Sequence, residues 1–255
     1  MHKYSLGFRE SLRVISADFN LGLTGQGTGS TIVAQTYGEQ DFEEKKHARI
    51  QIKRRDWDIT DKEFWKQFCI GKELLLKFGV SPIKYFWINE TRFKCYSNSY
   101  CFDFNGNRKI YCPYETDHKW YSNTNKECIQ GYNQLLPEGE IIFLTSSLKD
   151  IMCLAVLGYQ SVALQSEMQM PDEMLIKELK SRFTRVVVLY DNDFNSKDNP
   201  GQMMAGKICD EHTLINIYIP TEYQSKDISD LIKNYGLDVA NNFIKNSLPH
   251  GIFVL

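Results

Sequence analysis

The chain has 255 residues, 42% of them hydrophobic and 24% charged, with a formal net charge of −2. That length can bury a substantial core as one large domain or two smaller ones, and the composition excludes a disordered or fibrous protein. A net charge so near zero excludes bulk attraction to nucleic acid, so any such binding must rest on local basic patches. Seven cysteines, at 69, 95, 101, 112, 128, 153 and 209, form no CxxC pair, and no signal peptide precedes them. They read as reduced thiols, with an irregularly spaced zinc site from Cys95, Cys101 and Cys112 as the alternative. No apolar run has the length of a membrane span, and a cytoplasmic protein is expected.

In chain order, Phe8, Leu12, Ile15 and Phe19 recur at helical spacing and predict an amphipathic helix ending near Leu21-Gly22. The helix opens so abruptly that a further segment is expected before it. Thr24 to Ser30, with Gly25, Gly27 and Gly29, reads as a linker, because no strand precedes it and no Lys-Ser or Lys-Thr closes it as in a phosphate loop. Lys45-Lys46-His47-Ala48-Arg49 and Lys53-Arg54-Arg55 form the most basic stretch, read as a solvated face.

Residues 61–79 predict helix, with Asp61 as cap, Phe64, Trp65 and Phe68 on the core side, and a second turn at Leu74–Phe78 stopped by Gly79. Short aromatic strands follow at Tyr85–Ile88, Tyr100–Phe104 and Lys109–Tyr111. Asn105-Gly106 between the last two carries the signal of a tight hairpin. From Glu140 the pattern becomes strand–helix–strand. Strands are predicted at Ile141–Leu144, Ser161–Leu164, Val186–Tyr190 and Ile215–Ile219, and helices at Leu148–Leu157, Asp172–Phe183 and Gln202–Glu211. Short helices at Ile228–Tyr235 and Val239–Lys245 complete the chain. Alternation of this kind implies parallel strands covered by helices on both faces.

Three loops at predicted strand ends carry carboxylates: Thr145 to Asp150, Asp191-Asn192-Asp193, and Ser225 to Asp230. The second follows a continuous apolar run, Val186–Tyr190, as expected of a buried parallel strand. Parallel strands present their carboxyl ends on one side of a sheet, where ligands bind, so the three loops are expected to converge. Converging acids are tolerated mainly with a cation between them. Each loop also has a plain alternative. Ser147 and Asp150 stand at capping-box spacing, Asp227 is a candidate N-cap with Lys226 solvated, and Asp-Asn-Asp suits a turn.

On these residues, 140–235 resembles the Toprim fold of bacterial-type DNA primases, topoisomerases and related nucleases, with phage-type primases most alike. Asp150 matches the acid of that family's first loop, Asp191 and Asp193 its Asp-x-Asp pair, and Asp227 its later acid. Upstream, Lys119-Trp120-Tyr121-Ser122-Asn123 resembles the Lys-Tyr-x-Asn segment of the primase basic subdomain, whereas Gln130 stands where a second lysine is usual. Phe8–Leu21 resembles the helix that follows the primase zinc-binding domain, whose cysteines are absent from this sequence.

The resemblance implies a Toprim-like parallel sheet with helices on both faces, preceded by a smaller α+β subdomain. The expected division is 1–30 leading helix and linker, 31–139 α+β basic subdomain, 140–235 Toprim-like domain and 236–255 helical tail. It implies primer synthesis by nucleotidyl transfer in phage DNA replication, in a host cytoplasm, with Asp150, Asp191, Asp193 and Asp227 as catalytic residues. Of these, Asp191, Asp193 and Asp227 would hold Mg²⁺ or Mn²⁺. Arg108, Lys119, Asn123 and Lys226 would bind substrate or nucleic acid, with Trp120 and Tyr121 either stacking on bases or buried. The implied partners are single-stranded DNA, ribonucleoside triphosphates, a replicative helicase and a zinc-binding module removed from this chain or encoded separately. One departure stands out. The family's first loop carries Glu four residues before its Asp, and here that position is Ser146, a weak metal ligand and a poor base. Glu167 is expected at the surface, with entry into the crevice as the alternative. An impaired domain that binds nucleic acid or a replication partner, and a metal-dependent nuclease, are the competing functions.

Overall fold

In the computed structural model, residues 48–248 are described and fold around two sheets. The expected leading helix, the glycine linker and Lys45–His47 lie outside the described residues. The first sheet is antiparallel and six-stranded. Its strands are β1 (Ile50–Arg54), β2 (Val80–Ile88), β3 (Thr91–Lys94), β4 (Tyr100–Phe104), β5 (Asn107–Tyr111) and β6 (Trp120–Ser122). The order is β1-β2-β4-β5-β6, with β3 paired to β2. Asn105 (φ 54°) and Gly106 (φ 96°) form the β4–β5 turn, and positive φ at both central positions is the type I′ geometry that matches strand twist.

Helices α1 (Ile59–Lys66) and α2 (Lys72–Lys77) connect β1 to β2. Asp58, not Asp61, caps α1. The Asp58 carboxylate accepts from Asp61 N–H, and Asp61 returns a bond to Asp58 N–H. Three residues inside the cap, Asp61 points inward instead. There its fully buried carboxylate accepts two bonds from Arg55 at 2.6 and 2.8 Å and one from the Tyr100 hydroxyl at 3.0 Å. A buried charge with a bidentate guanidinium and a hydroxyl has the partners that burial demands.

The second sheet comprises β7 (Gly139–Thr145), β8 (Gln160–Ala163), β9 (Phe183–Leu189) and β10 (Ile215–Asn216), all parallel, in the order β10-β9-β7-β8. Helices α3 (Leu148–Val156), α4 (Glu173–Arg182), α5 (Pro200–His212) and α6 (Ile228–Ser247) follow β7, β8, β9 and β10 in turn. Side chains alternate across the strands. Phe143, Val187 and Leu189 face a core shared with α3, α6 and residues of α1, β2 and β4. Ile142, Leu144, Val186 and Val188 face the opposite core, with α4 and α5. From β7 the chain steps to β8 on one side and then to β9 on the other. The gap between the carboxyl ends of β7 and β9 is therefore the topological switch point, where open α/β sheets bind ligands.

Several expected elements differ in extent, among them the strand expected over Tyr85–Ile88, which begins at Val80. The strand expected over Ile215–Ile219 pairs only through Ile215–Asn216, with Ile217 N–H still donating to Val188. Beyond it the Ile219 carbonyl accepts instead from the Asn192 side chain. The two short terminal helices run together as α6, broken by Gly236 at φ 82° and ψ 177°, a conformation that glycine alone adopts freely.

Candidate active site

The three acidic loops meet at the switch point because each leaves the sheet at the same end. Thr145 pairs with Leu189 at the last rung of β7 and β9, so Ser146 and Asp191 leave their strands side by side. The Ser146 hydroxyl accepts from Asp191 N–H at 3.2 Å. Carboxylate oxygens of Asp150, Asp191 and Asp227 all lie within 4.8 Å of one another. A second group, sharing Asp191, joins Glu167 and Asp193 within the same limit. Asp193 thus falls beside Glu167 rather than in the group with Asp227.

Local structure holds each acid. Ser147 caps α3, and its hydroxyl donates to Asp150 Oδ2 at 2.6 Å. Asp227 caps α6, accepting from Asp230 N–H at 2.7 Å and from the Ser229 hydroxyl at 2.5 Å. At α6 the cap and the cluster acid are the same residue, and at α3 the cap holds the cluster acid. The helix ends direct their partial positive charge toward the acids. Glu167, expected at the surface, lies half-buried in the crevice, where its Oε1 accepts from the Ser146 hydroxyl at 2.9 Å and from Asp191 N–H at 3.2 Å. Gly201, near the start of α5, is the closest approach of all. A Cβ there would stand 2.3 Å from the Asp191 carbonyl oxygen and 2.8 Å from Glu167 Oε1. Sequence reading passed over this glycine, since only the packed structure shows what it faces.

Crowding raises the proton affinity of these acids. Burial and then the Asp227 charge push the Asp150 carboxyl well above the usual carboxylate range, against the pull of Lys149. Asp191 and Asp230 are raised by the same two causes in the same order, and Glu167 by burial and then Asp191. Two ammonium groups balance part of this charge. Lys226 Nζ lies 2.6 Å from Asp191 Oδ2 and 3.8 Å from Asp193 Oδ1. Burial works against the charge on Lys149 and Lys226, but the surrounding carboxylates outweigh it and hold both ammoniums firmly protonated.

The donor set fits a hard divalent cation. It is all oxygen, it converges from three loops, and Asp150 Oδ1 is buried without a hydrogen-bond partner. A fully buried carboxylate oxygen without a hydrogen-bond partner, on a residue grouped with two further acids, keeps the lone pairs that a divalent cation would take up. The seven cysteines are all free, and Cys95, Cys101 and Cys112 do not form a metal-holding group among the described residues.

The residues expected upstream take varied positions. Lys119 is exposed beside β6. Asn123 is used by the fold, its side-chain oxygen accepting from Arg108 N–H at 2.6 Å. The Arg108 guanidinium donates to the Ile50 carbonyl at 2.6 Å and to Asp103 at 3.5 Å. Trp120 is 40% exposed, stacks on Tyr111 at 4.3 Å and carries the Lys109 ammonium 4.9 Å from its ring centre. Tyr121 packs against Phe86 and Phe93 instead. Gln130 is buried and bridges to β8, donating to the Leu164 carbonyl at 2.5 Å.

No protein-family model matches the chain, and no curated protein matches it. Solved structures do. The DnaG catalytic core aligns at a TM-score of 0.55 and 13% identity, over 74% of this chain and 73% of that one. The DnaG primase catalytic domain bound to single-stranded DNA gives 0.55 and 13%, over 75% and 74%. The Aquifex aeolicus primase, with zinc-binding and RNA polymerase domains, gives 0.52 and 15%, over 74% of this chain and 56% of that one. The chain shares the α/β fold of these primase catalytic cores.

Proposed function

We propose that this protein is a primase-type nucleotidyltransferase that makes short RNA primers on single-stranded DNA, as in phage DNA replication. The observation that carries the reading is the meeting of Asp150, Asp191 and Asp227, from three loops far apart in sequence, in one buried crevice of a primase-like fold. Asp150, Asp191 and Asp227 would hold Mg²⁺ or Mn²⁺. A divalent ion bound there would neutralise phosphate charge on an incoming ribonucleoside triphosphate.

The chain's own residues supply the rest. Lys226, half-exposed and bonded to Asp191, would turn toward a substrate phosphate. Lys119, exposed beside β6, would make backbone contacts, which position a strand without reading its sequence. The exposed edge of Trp120 offers a stacking surface. Arg108 and Asn123 act differently in this reading. Their bonds to each other and to Ile50 fix β5 under that surface rather than leaving them free for phosphate. A replicative helicase and a separate zinc-binding module are the proposed protein partners.

Primer synthesis from labelled ribonucleotides on a single-stranded template tests the reading. Wild type should give short, divalent-cation-dependent products, and Asp191→Ala should reduce them at least a hundredfold. Equal output from the two proteins removes the polymerase assignment. Ser146 favours a second reading, a domain that binds single-stranded DNA without transfer. That reading is supported if salt-dependent binding persists while no product forms.

A further inference from the structure

We infer that Glu167 is a cation ligand of the crevice, delivered by the loop after β8 and aimed by the Ser146 hydroxyl, so that Glu167, Asp191 and Asp193 hold a divalent ion beside the one at Asp150, Asp191 and Asp227. The inference rests on the nucleotidyl-transfer reading and adds a residue to its machinery.

A glutamate with only a solvation role extends into water, and its loop needs no support. Here the loop is tied from several sides. Gln130 donates to the Leu164 carbonyl at 2.5 Å, and Lys109 Nζ donates to the Gln165 carbonyl at 3.2 Å. Gln165 donates in turn to the Cys128 carbonyl at 2.8 Å. Those bonds fix the strand end from which Glu167 projects. Its Oε1 then takes two hydrogen bonds, from Ser146 and from Asp191 N–H, and α5 approaches so closely that only glycine fits at 201.

Four elements thus converge on one carboxylate, the preorganisation that a ligand position requires. Among the described residues no lysine or arginine pairs with it, although Lys226 neutralises its neighbours Asp191 and Asp193. Two acceptor bonds occupy Oε1. The independent sign that the crevice takes cations is the orphaned Asp150 Oδ1, which shares Asp191 with this group. Ser146 is in this arrangement a positioning residue. Its hydroxyl contacts both Glu167 and Asp191 and sets their separation.

Mn²⁺ titration of the full chain, followed by loss of the free-ion paramagnetic resonance signal, tests the proposal without relying on activity. Wild type should bind two ions per chain. Glu167→Gln keeps an oxygen that accepts from Ser146 and Asp191 N–H and removes only the charge, so it should bind one ion, with an unchanged melting curve confirming the fold. Moving the carboxylate across the contact, in the double variant Ser146→Glu with Glu167→Ser, should restore the second ion. If wild type and Glu167→Gln bind a single ion equally, and Asp227→Asn abolishes it, the Glu167 proposal fails while the reading of the site stands. If wild type binds no ion at all, both fall.

Discussion

Lys109 shows how burial at a single residue translates into a measurable pH dependence. Its ammonium lies 4.9 Å from the centre of the Trp120 ring and has one hydrogen-bond acceptor among the described residues, the Gln165 carbonyl. Burial lowers its pKa from 10.5 to about 8. Below pH 8 both folded and unfolded chains hold the proton, and the full cost of burying the charge is present. Between about pH 8 and 10.5 the folded chain releases the proton first, so this residue's contribution to stability rises across that window and then levels. Lys109→Met removes the effect. The difference in urea midpoint between Lys109→Met and wild type should therefore favour the variant at pH 7 and shrink toward pH 10. A constant difference across that range would refute the assignment. The acids of the crevice obey the same physics in the opposite direction, since burial and mutual repulsion hold Asp150, Asp191 and Glu167 above their usual range.

At the scale of the element, helix starts do double work. Asp227 begins α6 and belongs to the acidic group at once. Its two roles separate by substitution. Asp227→Asn retains a capping oxygen for Asp230 N–H, and relief of like-charge repulsion offsets the lost charge, so its thermal midpoint should stay near wild type while divalent binding falls at least tenfold. Asp227→Ala loses the cap as well and should cost about 1 kcal/mol more, read from denaturant midpoints. Equal stability of the two variants would show that the cap contributes nothing. The same doubling explains why sequence reading could offer cap and ligand only as alternatives at Asp227. Spacing along a helix identifies a cap, and it is silent on what stands across the crevice.

For the molecule as a whole, one core joins the two sheets. Phe64, Trp65 and Phe102 from the antiparallel half belong with Phe143, Leu154 and Leu231 from the parallel half. Shared packing couples their stability. All four tryptophans, at 57, 65, 87 and 120, lie in the first half, whereas the longer helices lie in the second. Tryptophan fluorescence and far-ultraviolet circular dichroism should therefore report one coincident unfolding transition. Phe143→Ala, which empties a fully buried site facing that core, should shift both signals together by about 3–5 kcal/mol. Separate transitions would mean that the halves unfold independently.

Periodicity was sufficient for β7, β8 and β9 and the helices that follow them, because a strand buried on both faces must be apolar along its length and Val186–Leu189 is. It was sufficient also for the Asn105-Gly106 hairpin, whose positive φ values few other residue pairs tolerate. Aromatic spacing likewise placed Phe64, Trp65 and Phe68 in the core. Tertiary structure decided what depends on distance across the fold. It turned Asp61 inward to Arg55 and Tyr100, left Lys226 on Asp191, and brought Glu167 from its expected surface position to Ser146. Those outcomes come from which loops a switch in strand order brings together, and a local pattern of residue types carries no record of partners 20 or 40 positions away.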